Sequence, residues 1–112
     1  MFIYHLFLLF LMPKVKKSEY IKISRTIIKK LFDLNCFGKG SVYINVLKSA
    51  IPKVDLDKVD IVLESLLKQD ICCKKKKKQG WKYYLNMDRY DKIKEIIKES
   101  GKNSIIPILL ML

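Results

Sequence analysis

A chain of 112 residues, 50% hydrophobic and 30% charged, is long enough to bury one core and too short for two. With only 4 glycines and 3 prolines it is neither collagen-like nor linker-like, and its apolar content excludes disorder for the body. The net charge of +12 predicts association with polyanions at low salt, nucleic acid first and an anionic membrane surface second. All but Arg25 and Arg89 of the 23 basic residues are lysine, a point charge that favours contact with a phosphate backbone over the reading of bases. No enzyme is expected. The one histidine, His5, lies in an apolar leader, so the body has none for general-base work. Cys36, Cys72 and Cys73 fit neither a disulfide framework nor a zinc site. No metal or cofactor is expected, and the expected compartment is the reducing cytoplasm.

In chain order, residues 1–17 form an apolar leader and a basic arm, 18–101 a single domain, and 102–112 an apolar tail. The run MFIYHLFLLFLM is too short to span a bilayer and lacks the basic start of a signal peptide. Three origins compete for it: a start misassigned ahead of Met12, a short anchor, or an element packed on the body. A membrane is not the expected partner. The arm contributes Lys14, Lys16 and Lys17.

Residues 18–36 place Tyr20, Ile23, Ile27, Leu31 and Leu34 at three- and four-residue steps, widened by Ile28 and Phe32. That spacing predicts an amphipathic helix, with Ser18 or Ser24 as its cap. Gly38 and Gly40 mark its stop. Residues 41–51 predict either one helix capped by Ser41 or a short strand at SVYI followed by a shorter helix. Next comes a helix over 57–69, with Asp55 or Asp57 as cap. Val59, Val62, Leu63, Leu66 and Leu67 form its inner stripe, leaving Lys58, Asp60, Ile61, Glu64, Ser65 and Lys68 on the opposite face.

Two short runs, ICCKKKKK and WKYYLN, flank Gly80 and predict a β-hairpin. Alternation puts Ile71 with Cys73 on one face, Cys73 being read as a small core residue. It likewise groups Trp81, Tyr83 and Leu85, with Trp81 and Tyr83 covering the core. Lys74, Lys75, Lys76, Lys77 and Lys78 must crown the turn or line an exposed edge. A last helix begins near 86–88, with Tyr90, Ile93 and Ile97 inside, Met87 and Ile96 beside them, and Gly101 past its end.

The order helix, helix, helix, hairpin, helix resembles a winged helix-turn-helix domain of the small archaeal and bacterial regulator type, over roughly residues 18–100. The expected fold is α+β and mainly helical: a three-helix bundle with a β-hairpin wing and an additional C-terminal helix. In that family the helix at 57–69 would be the recognition helix, 41–51 the support helix, and the loop at 74–80 the wing. The resemblance implies binding of double-stranded DNA and a role in transcription regulation or as a small chromosomal protein. The resemblance, which rests on element order and patterning, meets a conflict of charge, because residues 55–70 hold Lys58 and Lys68 against Asp55, Asp57, Asp60, Glu64 and Asp70. The expected grip is therefore led by the wing and the arm.

The candidate nucleic-acid contacts are Lys74 to Lys78, Lys82 and Tyr84 on the hairpin. Lys58, Ile61, Ser65 and Lys68 lie on the helix, and Lys14, Lys16, Lys17 and Arg25 toward the N-terminus. A homodimer through the helix at 87–100 and the tail at 105–112 is expected with DNA as target. The alternative is a winged-helix module that docks on a protein partner within a larger complex.

Overall fold

Tyr20, Ile23, Ile27, Ile28 and Leu31 line one side of a 17-residue helix, α1 (Lys17–Asp33), and all are buried. The rest of the fold assembles on that seam. The computed structural model describes residues 15–98. The expectations for the leader, Lys14, Gly101 and the tail at 105–112 lie outside the described residues.

Neither serine caps α1. Lys16 is the cap residue, and its backbone N–H donates to Glu19 Oε1 at 2.9 Å, satisfying one of the donors left free at a helix start. Ser24 lies buried inside the helix. At the other end Asn35 adopts φ +56°, and Gly40 lies so close to the chain that a Cβ there would sit 2.8 Å from the Asn35 carbonyl oxygen.

Of the two readings for residues 41–51, the strand with a shorter helix is the one found. Strand β1 (Val42–Tyr43) runs directly into α2 (Ile44–Lys48), and the cap residue is Tyr43, not Ser41. Pro52 then opens a 3-10 helix, Lys53–Lys58, and α3 (Val59–Lys68) continues from it. This 3-10 turn displaces the expected start near Asp57. Neither Asp55 nor Asp57 caps α3, whose cap residue is Lys58.

Asp55 is buried instead. Its carboxylate lies 3.6 Å from Lys22 Nζ and 3.6 Å from Lys58 Nζ, and Lys58 also reaches Glu19 at 3.2 Å. A buried carboxylate needs such partners, and here they tie the 3-10 turn to the start of α1.

Strands β2 (Cys72–Lys77) and β3 (Gly80–Leu85) form the hairpin, and β1 pairs on the far side of β3. The antiparallel sheet has the order β1-β3-β2, with Cys72 opposite Leu85, Lys74 opposite Tyr83 and Lys76 opposite Trp81. Lys78 and Gln79 keep ordinary negative φ, while Gly80 takes φ +123°. The positive-φ residue thus follows the two-residue turn, as in hairpins that close through a glycine bulge.

The root of the hairpin departs from the alternation predicted for it. Asp70 adopts φ +61°, and Ile71 sits before the strand, so Ile71 and Cys72 are both buried. Cys73 points to the other face and is only half-buried. The core cysteine is therefore Cys72, not Cys73.

Asn86 caps the next 3-10 turn, Met87–Arg89, by accepting from the Asp88 N–H at 3.0 Å. The turn leads into α4 (Tyr90–Lys98). Ile93 and Ile96 of α4 enter the core, and Ile97 packs beside them. Tyr90 and Met87 stay largely outside, with Tyr90 lying against Phe32 and Phe37 at the edge of the core. The result is a compact α+β domain of several helices and a three-stranded antiparallel sheet.

Candidate nucleic-acid interface

The hairpin gathers most of the expected contact residues. Lysines 74, 76, 77 and 78 are exposed, and 75 and 82 are half-buried. Paired residues of an antiparallel sheet share a face, so the register sorts these side chains into two sets.

On one face, Lys74 and Lys76 reach over Trp81, with ammonium nitrogens 4.6 Å and 5.2 Å from its ring centroid. On the other, Lys75 Nζ donates to the Gly38 carbonyl oxygen at 2.5 Å and lies over the Tyr84 ring. Lys82 there lies over Tyr43, its partner across the β1–β3 ladder, at 5.1 Å. Lys75 is thus hydrogen-bonded by the protein and Lys82 is half-buried over Tyr43, whereas Lys74 and Lys76 are exposed with their ammonium groups over Trp81, and Lys77 and Lys78 are exposed. None of these six lysines makes an ion pair among the described residues. The hairpin is a concentrated, uncompensated positive charge.

The Gly38 contact brings in Lys39, an exposed lysine next to the second face, which the sequence reading did not include. Trp81 was also misassigned. It was expected in the core, yet it is 41% exposed. The core ends at Leu85 and Cys72, and Trp81 lies two pairs beyond Tyr83 and Lys74 toward the turn. Its nearness to Gly80 among lysines was the available signal. Tyr83 stays half-buried, and burial raises its hydroxyl pKa, with Asp60 and Glu64 adding to the effect. Tyr84, also half-buried, borders Gly38.

The helical contact residues are placed differently. Ser65 is buried, and its hydroxyl hydrogen-bonds the Tyr20 hydroxyl, so it cannot face a ligand. Gln69 Nε2 donates to that same Ser65 hydroxyl at 3.3 Å. The reason is that α1 crosses α3 on this side and closes what the helical wheel left open. Ile61 packs against the core rather than standing free. Lys58 is bound to Glu19 and Asp55 with its side chain 16% exposed.

Lys68 is exposed, as are Asp60 and Glu64 of α3 and Asp57 of the 3-10 turn before it, and Asp60 lies 4.0 Å from Lys48 Nζ, so carboxylates outnumber Lys68 on the outer side of these two elements. Arg25 serves α4: Nε and Nη2 donate to the Ile96 and Ile97 carbonyls, each at 3.3 Å. Lys16 and Lys17 stand exposed where α1 begins, away from the hairpin in sequence and on the same corner as Glu19 and Lys58.

Among the described residues there is no group of three or more His, Cys, Asp or Glu side chains placed to hold a metal. No helix among them is long and apolar enough to cross a membrane. No family model matches the chain, and no match is found among curated proteins or solved structures.

Proposed function

We propose that this chain is a winged-helix protein that binds double-stranded DNA through its lysine hairpin, as a transcriptional regulator or a small chromosomal protein. The observation that carries the reading is the hairpin itself: four exposed lysines on a projecting two-stranded ladder, with no carboxylate paired to them among the described residues. Element order supports it, since α2, α3 and the hairpin follow one another as support helix, recognition helix and wing would. In this reading β2 and β3 are the wing and contact phosphates. The acidic outer side of α3 is kept from the backbone, so affinity comes from charge and sequence preference is weak. Lys16 and Lys17 add a second cationic point.

Anisotropy of labelled random duplex with the full chain, across a salt series, tests the reading. Replacing Lys74, Lys76, Lys77 and Lys78 by Ser removes four candidate phosphate contacts and should reduce the slope of log K against log salt by about 3 to 4. Identical slopes for the two proteins would refute it.

A second reading has one observation in its favour. Asp57, Asp60 and Glu64 present an acidic surface that a basic protein partner would fit, and this would make the chain an interaction module. Absence of duplex binding at moderate salt would move the assignment there.

A further inference from the structure

The position of Trp81 goes beyond a grip on phosphates. It is the only tryptophan of the chain, and a large apolar ring exposed at 41% among lysines is an unusual use of that residue. Lys76 faces it across the ladder and Lys74 lies on the diagonal, and both ammonium groups lie over the ring. On its other side the sheet has ended. β1 stops at Tyr43, opposite Lys82, and the chain turns into α2 before reaching Trp81. The indole therefore stands at the outer end of β3 with ammonium groups over its ring and no β1 partner opposite it.

A phosphate grip needs only the charges. An exposed ring with mobile ammonium groups over it matches a nucleotide, whose base stacks on the aromatic face as the ammonium groups swing out to meet its phosphates. In a continuous duplex the bases are stacked on each other and offer no such face. At a single-stranded extension they do.

We propose that Trp81, flanked by Lys74 and Lys76, is a stacking site for an unpaired base of DNA, so that the hairpin favours a duplex carrying a single-stranded extension over a blunt one. This rests on the reading of the hairpin as a DNA grip.

Because Trp81 is unique, its intrinsic fluorescence reports on this site alone. The full chain is titrated with a labelled blunt duplex and with the same duplex bearing a single-stranded extension, following label anisotropy and tryptophan emission together. The expected result is about tenfold tighter binding of the extended duplex, with quenching of Trp81 by the extended probe. Trp81→Ala should abolish the tenfold preference while leaving blunt-duplex affinity within about twofold, and Trp81→Phe should retain part of it. Equal affinity for both probes, unquenched emission, or a preference that survives in Trp81→Ala would each overturn the stacking site and leave the phosphate grip standing. Failure to bind either probe would remove both readings together. The ring is exposed, so the variants are expected to fold, and matching thermal transitions confirm that they do.

Discussion

Arg25 reaches the carbonyl of Ile96, 71 residues along the chain, and that of Ile97 beside it with the same guanidinium. These carbonyls belong to α4 (Tyr90–Lys98). A basic residue that composition assigns to a polyanion is thus placed to hold one helix against another. Arg25→Ala should lower stability by about 1 kcal/mol, or roughly 4–8 °C in Tm, without flattening the salt dependence of duplex binding. Arg25→Lys should recover little, because an ammonium cannot reproduce the two-pronged donor. Thermal denaturation alongside duplex titration checks both halves.

Glu19 makes stability depend on acid. The Lys16 N–H and then Lys58 hold its carboxyl below its ordinary pKa, outweighing a smaller opposing effect of burial. The unfolded chain therefore takes up this proton more readily than the folded one. The stabilisation is fully present above the ordinary carboxylate range and drains away as pH falls through the lowered value. Glu19→Gln should lower stability at neutral pH, where the carboxylate contribution is present, and flatten the decline below about pH 5, so that the two proteins converge in acid. Urea midpoints measured from pH 7 to pH 3 are the test. A parallel downward shift at every pH would show that the carboxyl acts through packing alone.

Two glycines should respond differently to the same substitution. At Gly40 an added methyl would meet the Asn35 carbonyl oxygen at 2.8 Å, a backbone atom that cannot swing aside. At Gly80 it would meet nothing within 4 Å, and only the positive φ of +123° resists it. Gly40→Ala is expected to cost about 2–3 kcal/mol and Gly80→Ala about 1 kcal/mol. Denaturant midpoints at fixed m-value would rank them, and the reverse order would contradict the turn geometry.

The cysteines supply a chemical readout of the hairpin root. Burial pushes the thiol pKa up at Cys36 and Cys72, both enclosed. Cys73 is half-buried, and its thiol is raised by burial and then by Asp70 and Asp88. Native protein should therefore alkylate first at Cys73, slowly for a free cysteine, with Cys36 and Cys72 reacting only on unfolding. Mass spectrometry of iodoacetamide-treated protein, with and without urea, gives the order directly. First modification at Cys72 would put the strand in the other register.

Where hydrophobic spacing was regular, local reading reached the structure. The stripe from Tyr20 to Leu31, the Val59–Leu66 set and the hairpin around Gly80 all follow from side-chain periodicity, which is a property of the local chain. Most of the failures have tertiary causes. Ser65 looked solvent-facing on an isolated helix, but α1 crosses that side and its Tyr20 claims the hydroxyl. Asp55 looked like a cap because a carboxylate before a helix usually is one. A 3-10 turn instead carried it inward to Lys22 and Lys58. Trp81 was assigned inside from its hydrophobicity, against the local signal of Gly80 and the lysines around it, and it stands 41% exposed. Lys39 joins the hairpin only through the fold, by way of the Gly38 carbonyl.

The base of that hairpin is tied down three times. The Leu85 N–H donates to the Cys36 carbonyl at 2.8 Å, the Asn86 N–H to the Ile71 carbonyl at 3.0 Å, and Asn86 Nδ2 to the Asp70 carbonyl at 2.8 Å. Mechanically this is a cantilever, clamped at one end and free at the other. Amide protons at the clamp should outlast those around Lys78 and Gln79 by orders of magnitude in exchange. A load applied at the free end has no hinge in which to dissipate. It passes through Leu85 to the loop that closes α1, so whatever seizes the tip pulls on the longest helix of the domain.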